Sequence, residues 1–138
     1  MDGIPKGFHP HPRKSPLTAP WEPIYAKMRA DGLSLGVLAG EQHSNARGFV
    51  HGGLMSALAD NAMGLSCGSQ HDAIGSLVTV NLSVDFLGVA KQGQWLEFAA
   101  SVHKVGRSLD FAQCLIIADG ELCARATATF KVGHPKST

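Results

Sequence analysis

From Val78 onward the chain keeps a period of two. Val78, Val80, Leu82, Val84 and Phe86 alternate with Thr79, Asn81, Ser83 and Asp85, which predicts a half-buried strand with one apolar face. The alternation returns in Leu96, Phe98, Ala100 and Val102, in Leu109, Phe111, Leu115 and Ile117, and in Leu122, Ala124, Ala126, Ala128, Phe130 and Val132. Three further strands follow. Their connections, Ala90 to Gly93, Val105 to Ser108 and Asp119-Gly120, are short, so neighbouring strands run antiparallel. Asp119-Gly120 suits a two-residue hairpin turn because both positions tolerate positive φ.

The first half changes period. Leu54 to Cys67 contains no proline, and Leu54, Leu58, Ala62 and Leu65 share one helical face, which predicts one long helix. Leu33 to Gly40 reads as a strand leading into the polar loop Glu41 to Gly48. Trp21, Ile24, Tyr25 and Met28 fall three and four apart before Gly32, which predicts a short amphipathic helix packed on the core or closing a pocket. Residues 1–20 hold five of the seven prolines and read as an extended or disordered lead-in. A strand, a long apolar helix and an antiparallel meander give an α+β fold over residues 21–138, with the sheet covering the helix.

Bulk properties narrow the function classes. A chain of 138 residues fits one domain. No apolar run approaches the roughly 20 residues of a membrane span. The start, Met1 to Lys6, lacks an apolar signal core and an Arg-rich pattern, so a cytoplasmic protein without membrane attachment is expected. Twelve basic against eleven acidic residues leave a charge of +1, too balanced for nucleic-acid binding. Cys67, Cys114 and Cys123 lack the C-x-x-C spacing of a zinc site and read as buried thiols. His9 and His11 have no further ligand nearby, and His43, His71 and His134 lie in polar or terminal contexts that read as solvated surface. The G-x-S-x-G elbow, the Walker loop and the G-x-G-x-x-G turn are missing, so no metal, nucleotide or redox cofactor is expected.

The chemistry concentrates between Asn45 and Asp60. Gly52 and Gly53 open the long helix, where backbone N–H groups lack intrahelical partners beneath the positive end of the dipole. Such donors can stabilise negative charge developing on a carbonyl oxygen. Asp60 follows Gly53 by two turns on a stripe with Ser56, Ala57 and Gly64, small residues that leave space for a thin ligand or for another backbone. Seven helical residues advance about 10.5 Å, too far for Asp60 to reach a carbonyl held at its own helix N-terminus. If Gly53 and Asp60 act together, they belong to different copies of the chain, and the site requires a dimer.

Asn45-Ala46-Arg47-Gly48-Phe49-Val50-His51-Gly52-Gly53, followed by Leu58-Ala59-Asp60-Asn61-Ala62, resembles the motif of the hotdog thioesterases of the phenylacetate-degradation type. The resemblance spans about residues 33–132. It implies an antiparallel sheet wrapped around the central helix and continued across a dimer, a homotetramer by analogy, and hydrolysis of an acyl-CoA thioester to free acid and coenzyme A. By the same resemblance Asp60 is the catalytic base or nucleophile, Gly53 the carbonyl-polarising amide, and Asn45 the residue that orients water or the carbonyl. His51 orders the loop, and Thr79 supplies a hydroxyl that positions water. Gly52, Lys104, Gly106, Arg107 and Ser108 are its candidate substrate contacts. Lys104 and Arg107 would meet coenzyme A phosphates unless the hairpin is only a solvated turn, and Arg47 is a further phosphate candidate. A hydratase or dehydratase acting on acyl thioesters, with His51 as its base, and a non-catalytic acyl-CoA binder are the alternative functions.

Overall fold

The computed structural model describes residues 3–136. Its elements are β1 (His9–Pro10), β2 (Tyr25–Arg29), β3 (Gly32–Leu38), α1 (Gly52–Gly68), β4 (Ser76–Phe86), β5 (Trp95–Val105), β6 (Leu109–Ala118) and β7 (Glu121–Gly133), with 3-10 turns at Ala19–Trp21 and Glu41–His43. All strands join one antiparallel sheet in the order β1-β2-β3-β5-β6-β7-β4, which leaves β1 and β4 as edges. The sheet packs around α1. Leu54, Met55, Leu58, Ala59, Ala62, Met63 and Cys67 of the helix meet Leu35, Val37, Leu96, Phe98, Cys114 and Ile116 of the strands in one buried core. The helical periodicity therefore reports the core face correctly, and the Asp119-Gly120 turn closes with φ of 47° and 84°.

The expected helix between Trp21 and Gly32 is absent; a 3-10 turn ends at Trp21 and β2 follows. Glu22 is extended at φ −64°, ψ 149°, which ends the 3-10 turn before Pro23, and pairing of Tyr25–Arg29 with Gly32–Gly36 of β3 takes the following residues into a strand rather than a helix. The apolar residues of the segment then diverge: Ile24 enters the main core, whereas Tyr25 joins Phe8 and Trp95 in a second cluster and Met28 is 66% exposed. The Trp95 ring occupies the space a Cβ at Gly36 would need, so glycine admits it against β3. Residues 8–11 run along β2, with His9 and Pro10 opposite Ala26 and Tyr25 and the Phe8 ring edge-on to Trp95 at 5.0 Å.

Two strands carry more than the simple alternation. In β6 the helix-facing residues are Asp110, Ala112, Cys114, Ile116 and Ala118, all buried, so the expected apolar set of Leu109, Phe111, Leu115 and Ile117 lies on the outer face. In β4 the register with β7 shifts between Thr79 and Asn81, leaving Val80 as a bulge. Leu82, Val84 and Phe86 lie opposite the buried Ala128, Ala126 and Ala124, while Thr79 lies opposite buried Phe130. Val78 lies opposite exposed Lys131. The bulge thus turns Thr79 to the helix side and Val78 away from it, reversing the alternation for the first part of the strand.

Candidate functional site

Asp60 sits near the middle of α1 on the side that faces β4. Thr79 Oγ1, brought to that side by the Val80 bulge, donates to Asp60 Oδ1 at 2.7 Å. Oδ2 of Asp60 has no hydrogen-bond partner among the described residues and is left to accept a proton or attack. Both residues line a cleft of about 670 Å³ between α1 and β4. Gly64 and Gly68 continue its helix wall and Phe130 forms part of its lining, so the small-residue stripe opens onto the cleft at Gly64, while Ser56 and Ala57 are not part of the lining.

The N-terminus of α1 lies elsewhere. His51 is the cap, and its Nδ1 accepts the Gly53 N–H at 2.7 Å, while the Met55 N–H donates to the His51 carbonyl at 3.1 Å. The Gly53 amide, the expected carbonyl donor, is thus bonded to the cap, whereas the neighbouring Gly52 N–H has no acceptor among the described residues. His51 holds the helix end through one ring nitrogen, a structural use of the side chain. His51 and Gly53 line a second cleft of about 370 Å³ with Trp21, His43 and Leu54, and none of its lining residues is shared with the Asp60 cleft.

Asn45 supports this end of the helix from outside. Its Oδ1 accepts the N–H groups of Arg47 and Phe49 at 2.9 and 3.1 Å, closing the turn that delivers His51. Only the Asn45 amide nitrogen is left to meet a ligand. Arg47 lies over the Phe49 ring at 5.9 Å. Lys104, Gly106, Arg107 and Ser108 form the β5–β6 hairpin and line neither cleft. The Gly106 N–H donates to Asp110 Oδ1 at 3.0 Å, and the Arg107 carbonyl meets His134 Nε2 at 2.8 Å.

Three polar groups depart from their sequence reading or escape it. His43 is buried, taking the Gly40 N–H on Nδ1 and meeting the Trp21 carbonyl with Nε2 at 2.9 Å. His71 is not free surface either: its Nε2 lies 2.6 Å from Oδ2 of the fully buried Asp110, tying the end of α1 to the β5–β6 hairpin. Asp110 was hidden from the sequence, whose apolar alternation set Leu109 and Phe111 inward and Asp110 outward, the reverse of the register found. Burial pushes the Cys67 and Cys114 thiols up to about 12, which removes them as nucleophiles at neutral pH.

Among the described residues no cluster of three or more side chains is arranged to hold a metal, and no helix is long and apolar enough to cross a membrane. The Asp60 cleft offers a carboxylate and an orienting hydroxyl, whereas the Gly52 amide lies outside it, eight residues away and about 12 Å along the helix.

The sequence profile of the Thioesterase superfamily matches residues 47–124, which contain the capped glycine pair, Asp60 and Thr79. The Pseudomonas aeruginosa protein PA0474 is 36% identical over 131 residues, covering 94% of this chain and 98% of that one. Human acyl-coenzyme A thioesterase 13 is 35% identical over 98 residues, 68% of each chain. Among solved structures, zebra fish thioesterase superfamily member 2 superposes with a TM-score of 0.74 at 26% identity, covering 80% of this chain and 81% of that one. A Streptococcus pneumoniae thioesterase protein solved with coenzyme A has the same fold, with a TM-score of 0.75 at 24% identity over 85% of this chain and 94% of that one. A profile matched over more than half the chain, a relative matched over nearly its whole length and a helix wrapped by one antiparallel sheet agree, and the chain belongs to the thioesterase superfamily of the hotdog fold.

Proposed function

We propose that the protein hydrolyses acyl-CoA thioesters at a site shared by two copies, with Asp60 of one and the Gly52 N–H of the other acting on one carbonyl. The observation that carries this reading is the placement of both groups along one exposed edge. Asp60 is bonded to Thr79 of β4, and a Cβ at Gly52 would lie 3.1 Å from the ring of Phe86 at the other end of the same strand. β4 is an 11-residue edge with no proline or lysine to guard it. Val78, Val80, Leu82 and Phe86 are 36–57% exposed on it.

Antiparallel pairing of β4 with its copy about Leu82 and Ser83, midway between Thr79 and Phe86, sets Thr79 of one protomer opposite Phe86 of the other. Asp60 then approaches the partner's Gly52, which the spacing along a single helix forbids. The same pairing covers the apolar edge and continues the sheet across the dimer.

In that site the thioester carbonyl points at the Gly52 N–H, which stabilises the oxyanion as it forms. The free Oδ2 of Asp60 takes a proton from water, or attacks the carbonyl directly, while Thr79 holds Oδ1. Collapse expels coenzyme A as a thiolate, a good leaving group because a free thiol has a pKa of about 8.5; after direct attack, water then cleaves the acyl-Asp60 anhydride to the free acid and the Asp60 carboxylate. The Asn45 amide nitrogen is assigned to orient water or the carbonyl, and the exposed Lys104 and Arg107 to meet phosphates. The names of the relatives, one an acyl-coenzyme A thioesterase and one a structure with coenzyme A, support this substrate class.

Release of free thiol from a panel of aryl- and alkyl-CoA thioesters tests the reading; turnover of at least one is expected, and turnover of none would contradict it. Thr79→Val should lower kcat about tenfold with the fold intact, since one hydrogen bond to a carboxylate is worth about 1.5 kcal/mol or more. Unchanged kcat would show that the hydroxyl does not hold the base.

A further inference from the structure

The cleft that holds Asp60 has, among the described residues, one cationic side chain in its lining, Arg13 from the proline-rich lead-in. Its backbone is fastened on both sides. Two residues earlier, the His11 N–H donates to the Ile24 carbonyl at 2.8 Å. Two residues later, Ser15 closes a turn in which its Oγ accepts the N–H of buried Thr18 at 3.2 Å and its carbonyl accepts the Ala19 N–H at 2.9 Å. Lys14 is turned to Glu22, 3.2 Å away, so the adjacent cation is spent. Arg13 itself enters none of the ion pairs found among the described residues.

A guanidinium with no carboxylate partner, set on a cleft walled by Gly64, Gly68 and Gly75, is a fork for a planar or tetrahedral oxyanion. The rest of the lining is neutral apart from Asp60. We propose that Arg13 is a specificity-determining residue that binds an oxyanion of the substrate, either a carboxylate at the far end of the acyl chain or a phosphate of coenzyme A. The proposal rests on the thioesterase reading of the Asp60 cleft and extends it to a segment outside the residues 47–124 that match the superfamily profile.

Three thioesters separate the sources: a neutral acyl-CoA, an acyl-CoA whose chain ends in a carboxylate, and the neutral acyl group on N-acetylcysteamine, which lacks phosphates. Arg13→Gln is expected to raise KM about tenfold or more where the oxyanion is present, with kcat on the other substrates retained, and Arg13→Lys to recover part of the loss. A rise confined to the carboxylate-bearing substrate assigns Arg13 to the acyl chain. A rise for both CoA esters and not for the N-acetylcysteamine ester assigns it to phosphate. KM unchanged for all three, or raised equally for all three, overturns the proposal. Wild-type protein that hydrolyses none of them overturns the thioesterase reading, and the Arg13 assignment with it.

Discussion

Asp60→Asn is expected to lower kcat by about three orders of magnitude and to leave the melting temperature within a degree or two of wild type. The size follows from losing a positioned base or nucleophile, a loss that falls in the range of about 10²–10⁴-fold for general base catalysis. The fold survives because asparagine has the same shape and keeps an oxygen at Oδ1 to accept the Thr79 hydroxyl, now at 2.7 Å from the carboxylate. Asp60 is also not part of the buried apolar face of α1, which is carried by Leu54, Leu58, Ala62 and their neighbours. Steady-state thiol release with both proteins side by side measures the effect, and near-wild-type turnover in the variant would remove Asp60 from the chemistry.

Gly52→Pro has the second-largest expected effect, a fall in kcat of about 10²–10³ from the loss of one oxyanion donor. Proline is suited to this position. Gly52 is the first residue of α1, where an N–H has no intrahelical partner and the fixed φ of proline matches the helix. The preceding His51 is already extended at φ −69°, ψ 133°, the conformation that a following proline requires. Its new Cβ would press on the Phe86 ring at 3.1 Å, but that side chain is 51% exposed and has room to swing. The substitution therefore deletes the hydrogen while sparing the helix and its His51 cap. Circular dichroism checks the fold and kcat checks the donor; a folded Gly52→Pro protein with full activity would show that another group receives the oxyanion.

Much of this arrangement was legible in the sequence because it depends on short-range rules. The Leu54 to Cys67 period gave the helix and its buried face, and the Asp119-Gly120 pair gave a turn that needs two positive φ angles. The distance from the glycine pair to Asp60 is likewise a property of helix rise alone. What escaped depends on contacts between distant segments. Trp21, Ile24, Tyr25 and Met28 are spaced like a helix face, yet Pro23 and pairing with β3 make them a strand whose apolar groups go to different clusters.

The Val80 bulge is the instructive case. Unbroken alternation from Val78 to Phe86 carries no mark of an extra residue, but the register of β7 opposite inserts one, and this alone turns Thr79 toward Asp60. Which of the two glycine amides the His51 ring caps was equally hidden. Asp110 and His71 come together across 39 residues of chain, and nothing local announces the pair.

Complementation between two inactive proteins tests the shared site most directly. Asp60→Asn and Gly52→Pro chains, each nearly inactive alone, are co-expressed with different tags and the mixed species is compared with the parents. Each mixed dimer holds one site of two with both groups intact, so about one half of wild-type activity is expected in the purified mixed dimer and, with random pairing making half the dimers mixed, about one quarter in the unfractionated mixture. Activity in the mixture no higher than in either parent would contradict a carboxylate and an amide that meet only across two copies.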